Sequence, residues 1–310
     1  TGVRNFTISG ELDAATLDIS GNVDIDGVLE TDNLTIGGAQ GSDGQVLTST
    51  GSGVGWEDAS GGGSSITFKE GGTNFTNSIM IGDDATGTLN AATGNTGLGV
   101  DIFAALTTGD NNVAVGLNAL EAMTTGHSTV AIGMNALFRT TTGVNSVGVG
   151  QEVLQANTTG KHNVAIGGFA LVSNTTADAN VAVGINVLQA NTTGTNNVAV
   201  GGFSLDAATT ASNNTAVGYG SLGACTTGEY NVAIGTSAMG DAAHTGNFNT
   251  AVGQSALRLI TTGSSNTAVG QAAGDTITSG NSNVFIGESA GLSNTTGSEN
   301  TFVGWHAGQS

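Results

Sequence analysis

Proline is absent from this chain, cysteine occurs once, and Lys and Arg together number five in 310 residues. The lone thiol, Cys225, excludes a disulfide framework. So few cations, against a formal charge of −19, exclude nucleic acid as a partner, because almost nothing is present to displace phosphate counterions. An anionic membrane surface is excluded on the same ground. No run of about 18 apolar residues is present, so no helix of this sequence inserts into a bilayer. Aromatics are only 5% of residues, a composition unlike that of a globular enzyme. Charge is scarce too, at 9% against 38% hydrophobic residues, and that balance excludes a disordered chain.

What the sequence has is glycine, 52 of them, and the glycines keep time. A V-A-V-G phrase closes on Gly82, Gly99, Gly116, Gly133, Gly150, Gly167, Gly184, Gly201, Gly218, Gly235, Gly253, Gly270, Gly287 and Gly304. These fourteen copies are spaced by 17 residues, with a single interval of 18. Such regularity is the signature of a solenoid, in which each copy is one rung and is stable only against another rung.

Within a copy, the residue before the glycine is a branched aliphatic (Val115, Ile132, Val149) and the third before it is β-branched (Val113, Val130, Val147). A small residue, usually Ala, lies between them. Period-2 patterning over a short β-branched run predicts a strand. The bulky aliphatics are expected to face a core and the small residues to face outward. Leu120, Leu137, Leu154 and their equivalents, four residues after the glycine, supply a second core contact. A Thr-Thr-Gly corner follows, as at 107–109 and 124–126, with its glycine suited to a left-handed turn position. The extra residue of the long interval falls between Met239 and Thr245, in the corner rather than in the strand.

Asparagine precedes the strand in eleven copies, among them Asn95, Asn112, Asn163 and Asn180. Stacked at about 4.8 Å, such side chains bond to their own copies above and below. That reading outweighs a glycosylated or sugar-binding asparagine; the Asn-x-Thr sequons at Asn157, Asn174 and Asn191 arise from the corner sequence. About three buried aliphatics per rung make a thin core, so several chains are expected to associate through the small-residue face, as a homotrimer.

Residues 1–40 follow another rule. Leu17, Val23 and Leu29 are six apart, as are Ile19 and Ile25, with Asp18, Asp24 and Glu30 between them. This hexad predicts a narrow intertwined triple β-helix. Residues 41–65 read as a hairpin carrying Val46, Leu47 and Trp56, followed by a Gly/Ser hinge at 61–65. Residues 66–310 are the repeat shaft. The fold class is therefore all-β, a parallel β-solenoid of 17-residue repeats.

"LDISGNVDIDGVLETDNLTIGG" followed by "GSDGQVLTSTGSGVGWEDAS" resembles tail-fibre and virion structural proteins of phages that infect marine bacteria, cyanobacteria especially. The N-V-A-I-G phrase separately resembles the head repeats of trimeric autotransporter adhesins. The first resemblance implies a virion tail fibre that spaces and presents a host-receptor-binding end. Its partners would be tail or baseplate proteins at the N-terminal end and a host surface receptor, glycan or protein. The second implies a bacterial surface adhesin as the alternative. Many such phage fibres carry a C-terminal self-cleaving chaperone of the endosialidase type, which implies a gene continuing past Ser310; starting at Thr1, the chain is expected to be a fragment or a processed product.

Chemistry is sparse. His127, His162, His244 and His306 occupy different repeat positions without ligand spacing, and read as solvated corner residues rather than metal ligands. No catalytic, cofactor-binding or metal site is expected, and Cys225 sits at a corner as an inert thiol. An ice-binding threonine array is a remote alternative, because adjacent threonines do not both face outward from one strand. Near the end, Phe285 and Phe302 replace alanine while Gly274, Gly291 and Gly308 replace leucine. This predicts a change of rung character, either a cap or a widened receptor-contacting tip.

Overall fold

The computed structural model describes residues 91–309, together with the strands Thr35–Ile36, Ala39–Gln40, Gln45–Ser49, Val54–Asp58, Thr67–Glu70, Phe75–Thr76 and Ile79–Gly82. The chain divides into two compact units, Thr1–Ser65 and Ile66–Ser310. In the first, Gln45–Ser49 and Val54–Asp58 pair antiparallel with Leu47 opposite Trp56, which is the hairpin expected from 41–60. The hexads of 17–30 and the Gly/Ser stretch at 61–65 lie outside the described residues.

The second unit is a parallel β-solenoid. Fourteen parallel strands, one per repeat, run from Ile79–Gly82 to Thr301–Val303, and Thr67–Glu70 adds an antiparallel strand at the start. Each strand pairs with its equivalent in the next copy, as Val113 does with Val130 and Val115 with Ile132. Successive rungs of a single chain are thus neighbours, at the ordinary strand spacing of about 4.8 Å. The long interval leaves this register intact: Val232–Ile234 still pairs residue for residue with Thr250–Val252. Register holds because a slip would turn every side chain to the wrong face.

Each strand is only about three residues long, so the rest of the rung is held by ladders of turns. The Asn118 N–H donates to the Val100 carbonyl at 2.9 Å, Leu120 to Ala136 at 3.1 Å and Thr124 to Thr141 at 3.0 Å. To turn so often, the backbone uses left-handed residues at three places per rung, for example Asn118, Leu120 and Ser128 with φ of 57°, 54° and 56°. The strand-closing glycine is the most constrained position. At Gly133, φ is +133°, and an added Cβ would sit 2.3 Å from the Gly150 carbonyl oxygen. Only glycine meets both conditions. The corner glycine differs from expectation: Gly126 and its equivalents do not adopt positive φ. Close packing explains them instead, since a Cβ on Gly126 would meet the Gly143 oxygen at 2.5 Å and Met123 Cε at 2.9 Å.

The faces of the strand are the reverse of the sequence expectation. Ala114, Ala131, Ala165 and Ala182 are fully buried, while Ile132, Ile166, Val200 and Ile234 are exposed on the opposite side. The reason is the narrow interior. Leu120 and its equivalents are fully buried and fill the space in front of the strand; at Gly148, even a Cβ would come within 2.7 Å of Leu137 Cδ1. A branched side chain pointing inward would overpack that space. Association through the small-residue face is therefore ruled out, because that face is the chain's own core.

The C-terminal exchange of residues is compensated within the core. Phe285 is fully buried, and its ring occupies the room released by two glycines. A Cβ on Gly274 would meet Phe285 Cδ2 at 2.6 Å, and one on Gly291 would meet Phe285 Cδ1 at 2.3 Å. Volume has moved from the leucine position to the strand.

Candidate interaction surfaces

The outward columns of the sheet form one long, largely aliphatic face, in which Thr96, Thr215, Thr250, Thr267 and Thr301 interrupt one column. Val113, Val130, Val147 and their equivalents make one column; Val115, Ile132, Val149 and theirs make the other. Ile132 is 39% exposed and Ile166 42%. On the flank lie Leu117, Met134 and Ile185, also exposed. Thirteen strand spacings of about 4.8 Å and a width of about 10 Å give roughly 600 Å² for the columns alone. Parallel sheets are ordinarily covered on both faces, and contiguous apolar area of this size marks an interaction surface.

The asparagine ladder before the strand is present. The Asn112 N–H donates to Asn95 Oδ1 at 2.9 Å, and Asn112 Nδ2 donates to the Gly126 carbonyl at 3.0 Å. A second ladder lies in the corner, where the sequence shows only sequons. Asn174 Nδ2 donates to Asn157 Oδ1 at 2.9 Å, and Asn191 Nδ2 to Asn174 Oδ1 at 3.1 Å. All three side chains are fully buried, which removes them as glycan acceptors in the folded rung. The recurrence of Asn-Thr-Thr at the repeat period was the signal that could have revealed this ladder.

The first threonine of most corners is likewise committed to structure. Thr124 Oγ1 donates to the Thr141 carbonyl at 3.1 Å, and Thr141 Oγ1 to the Thr158 carbonyl at 3.2 Å. The second threonine, such as Thr125, is open to solvent.

Of the four histidines, His127 and His162 are exposed and His306 is half-buried. His244 is the exception: it is fully buried and follows Cys225 in the interior, with the two residues bridged in parallel. Neither ring nitrogen of His244 finds a hydrogen-bond partner. Burial pushes its pKa down to about 4, and the nearby Ile260 and Thr261 backbone offsets only part of that shift. Burial likewise pushes the Cys225 thiol up to about 11, against a weaker opposing contact to the Gly228 carbonyl. The expected solvated corner histidine is thus corrected at position 244; the inserted residue of that rung lets the ring turn inward. Among the described residues no three His, Cys, Asp or Glu side chains gather where a metal ion could be held. No described helix is long and apolar enough to cross a membrane.

No family model, curated protein or solved structure matches this chain. Its surfaces have to speak for themselves.

Proposed function

We propose that this chain is a non-enzymatic structural fibre protein: the shaft of a homotrimer, working as a phage tail fibre that spaces and presents a host-receptor-binding end. The observation that carries this reading is the outward face of the sheet, with Val, Ile or Leu throughout one column and Val, Ile or Thr in the other. A stable interface takes about 800 Å² from each partner, and the two columns supply roughly 600 Å² of it. A second copy of this chain is the occupant whose surface repeats at the same pitch, so that each rung meets an equivalent rung along the whole length. Three such strips turned toward one axis enclose a common core and close the assembly by cyclic symmetry. A net charge of −19 keeps such a fibre soluble.

Sedimentation equilibrium tests the assembly. Three chains of 30.2 kDa give about 91 kDa by 3 × 30.2, and a species of 30.2 kDa at micromolar concentration would sink the fibre reading. Immunogold labelling then tests the location. Label on virion tails supports the phage assignment, whereas label on bacterial surfaces replaces it with the adhesin.

A further inference from the structure

Two consecutive rungs carry glycines that depart from the repeat on the run that follows the strand: Gly220 with Gly223 in one, and Gly240 in the next. Two residues after the strand-closing glycine stand Phe203, Gly220 and Ser237; five after it stand Asp206, Gly223 and Gly240. In several other rungs that second column carries long side chains, as at Glu121, Gln155, Gln189 and Arg258. Such side chains are missing at Gly223 and Gly240, which line a groove of about 400 Å³. The rung with the extra residue borders it, at Gly240 and Asp241.

The lining is chemically mixed. Phe203 and Tyr219 meet edge to face, with ring centroids 5.6 Å apart, and Tyr219 is 61% exposed. Asp206 reaches over the glycine floor: its Oδ1 lies 3.3 Å from where a Cβ on Gly223 would stand. Asp241 is fixed by Arg258, whose Nη1 lies 3.0 Å from its Oδ2 while the rest of the guanidinium grips Asp275 at 2.7 and 3.0 Å. Ser237 adds a hydroxyl to the lining. Partial burial raises the Asp206 pKa, though its own N–H and that of Ala207 pull the other way.

We propose that this groove binds a neutral saccharide, with a pyranose ring stacked on Tyr219 and its hydroxyls held by Asp206 and Asp241. An aromatic ring covers the C–H face of a sugar and removes apolar area from water. Carboxylates accept strong, charge-assisted hydrogen bonds from hydroxyl groups. Glycine lets the ligand approach the backbone closely. Two rung spacings span about 10 Å, the length of two linked pyranoses. Acidic sugars are turned away by two carboxylates on a strongly acidic chain. Tyr219 directly follows the strand-closing Gly218, in the same column as Leu117, Met134 and Ile185, so the inference rests on that flank staying uncovered in the proposed assembly.

Saturation-transfer NMR on the purified protein, in its native assembly state, tests the site with maltotriose, cellotriose, mannotriose and chitotriose. At least one is expected to show transfer with a dissociation constant of about 1 mM or tighter. Tyr219→Ala should weaken that binding about tenfold, the loss of one ring contact. Gly223→Gln places in the groove the residue that occupies the same column at Gln155 and Gln189, so the rung is retained while transfer disappears. Gln189→Ala, outside the groove, leaves binding unchanged. The proposal is overturned if none of the four shows transfer, if transfer survives Gly223→Gln, or if tetramethylammonium is bound in place of the sugars.

Discussion

At the scale of single residues, buried groups without partners set the pH behaviour. His244 is neutral when folded, with a pKa lowered to about 4, but takes up a proton near its ordinary value when unfolded. Between those values the unfolded state binds more protons, so stability falls as pH drops from about 6.5 toward 4. The loss is on the order of 3 kcal/mol for that shift. The next rungs place Ile260 and Ile277, both fully buried, at the equivalent corner. His244→Ile should therefore raise stability at pH 7 by removing two unpaired polar atoms and should flatten the slope between pH 6.5 and 4. Urea midpoints at both ends of that window measure it; equal slopes for the two proteins would refute the account. Cys225 obeys the same logic. With a pKa near 11 and no exposure, it should stay unmodified by Ellman's reagent when native and react with one equivalent in guanidinium.

At the scale of the rung, backbone geometry and side-chain volume decide what is tolerated. Gly133→Ala forces a Cβ into the Gly150 carbonyl at a φ of +133°, and should cost more than about 3 kcal/mol. Gly126→Ala should cost less, because the same corner column already carries Ala177 and Ala211. Thermal unfolding of the two variants side by side gives the comparison. Phe285→Ala should cost about 3–5 kcal/mol through the cavity it leaves. Adding Gly274→Leu should return much of that, since Leu257 holds the equivalent position at φ of 50°, close to the 60° of Gly274. If the two changes merely add, the volume exchange is not the reason for Phe285.

The strand, its register and the first asparagine ladder were legible in the sequence because period, branching and repetition all point the same way. Which strand face is buried was not legible. Alternation fixes that Ala114 and Val115 point to opposite sides; it does not say which side Leu120 fills from across the rung. The same blindness hid the groove, which is lined by Gly220, Gly223 and Gly240, where several other rungs carry longer side chains.

At the scale of the whole molecule, the outward aliphatic columns ask for a cover that no described residue provides. Val183 and Val200 are opposite one another on adjacent strands and lie on the outward face. Val183→Lys combined with Val200→Glu would set a pair of opposite charges across the ladder, worth about 0.2–1 kcal/mol to a single chain. In an assembly the same pair would be buried at a shared interface, where unsolvated charge is costly. The two states of association therefore respond with opposite sign. The expected result is a solenoid with an unchanged circular dichroism spectrum whose mass falls from about three chains to the 30.2 kDa of one. Had the columns been solvent-facing in the working protein, mass would be unaffected and stability slightly raised. A mass that stays at three chains despite the charges would place the interface on another face.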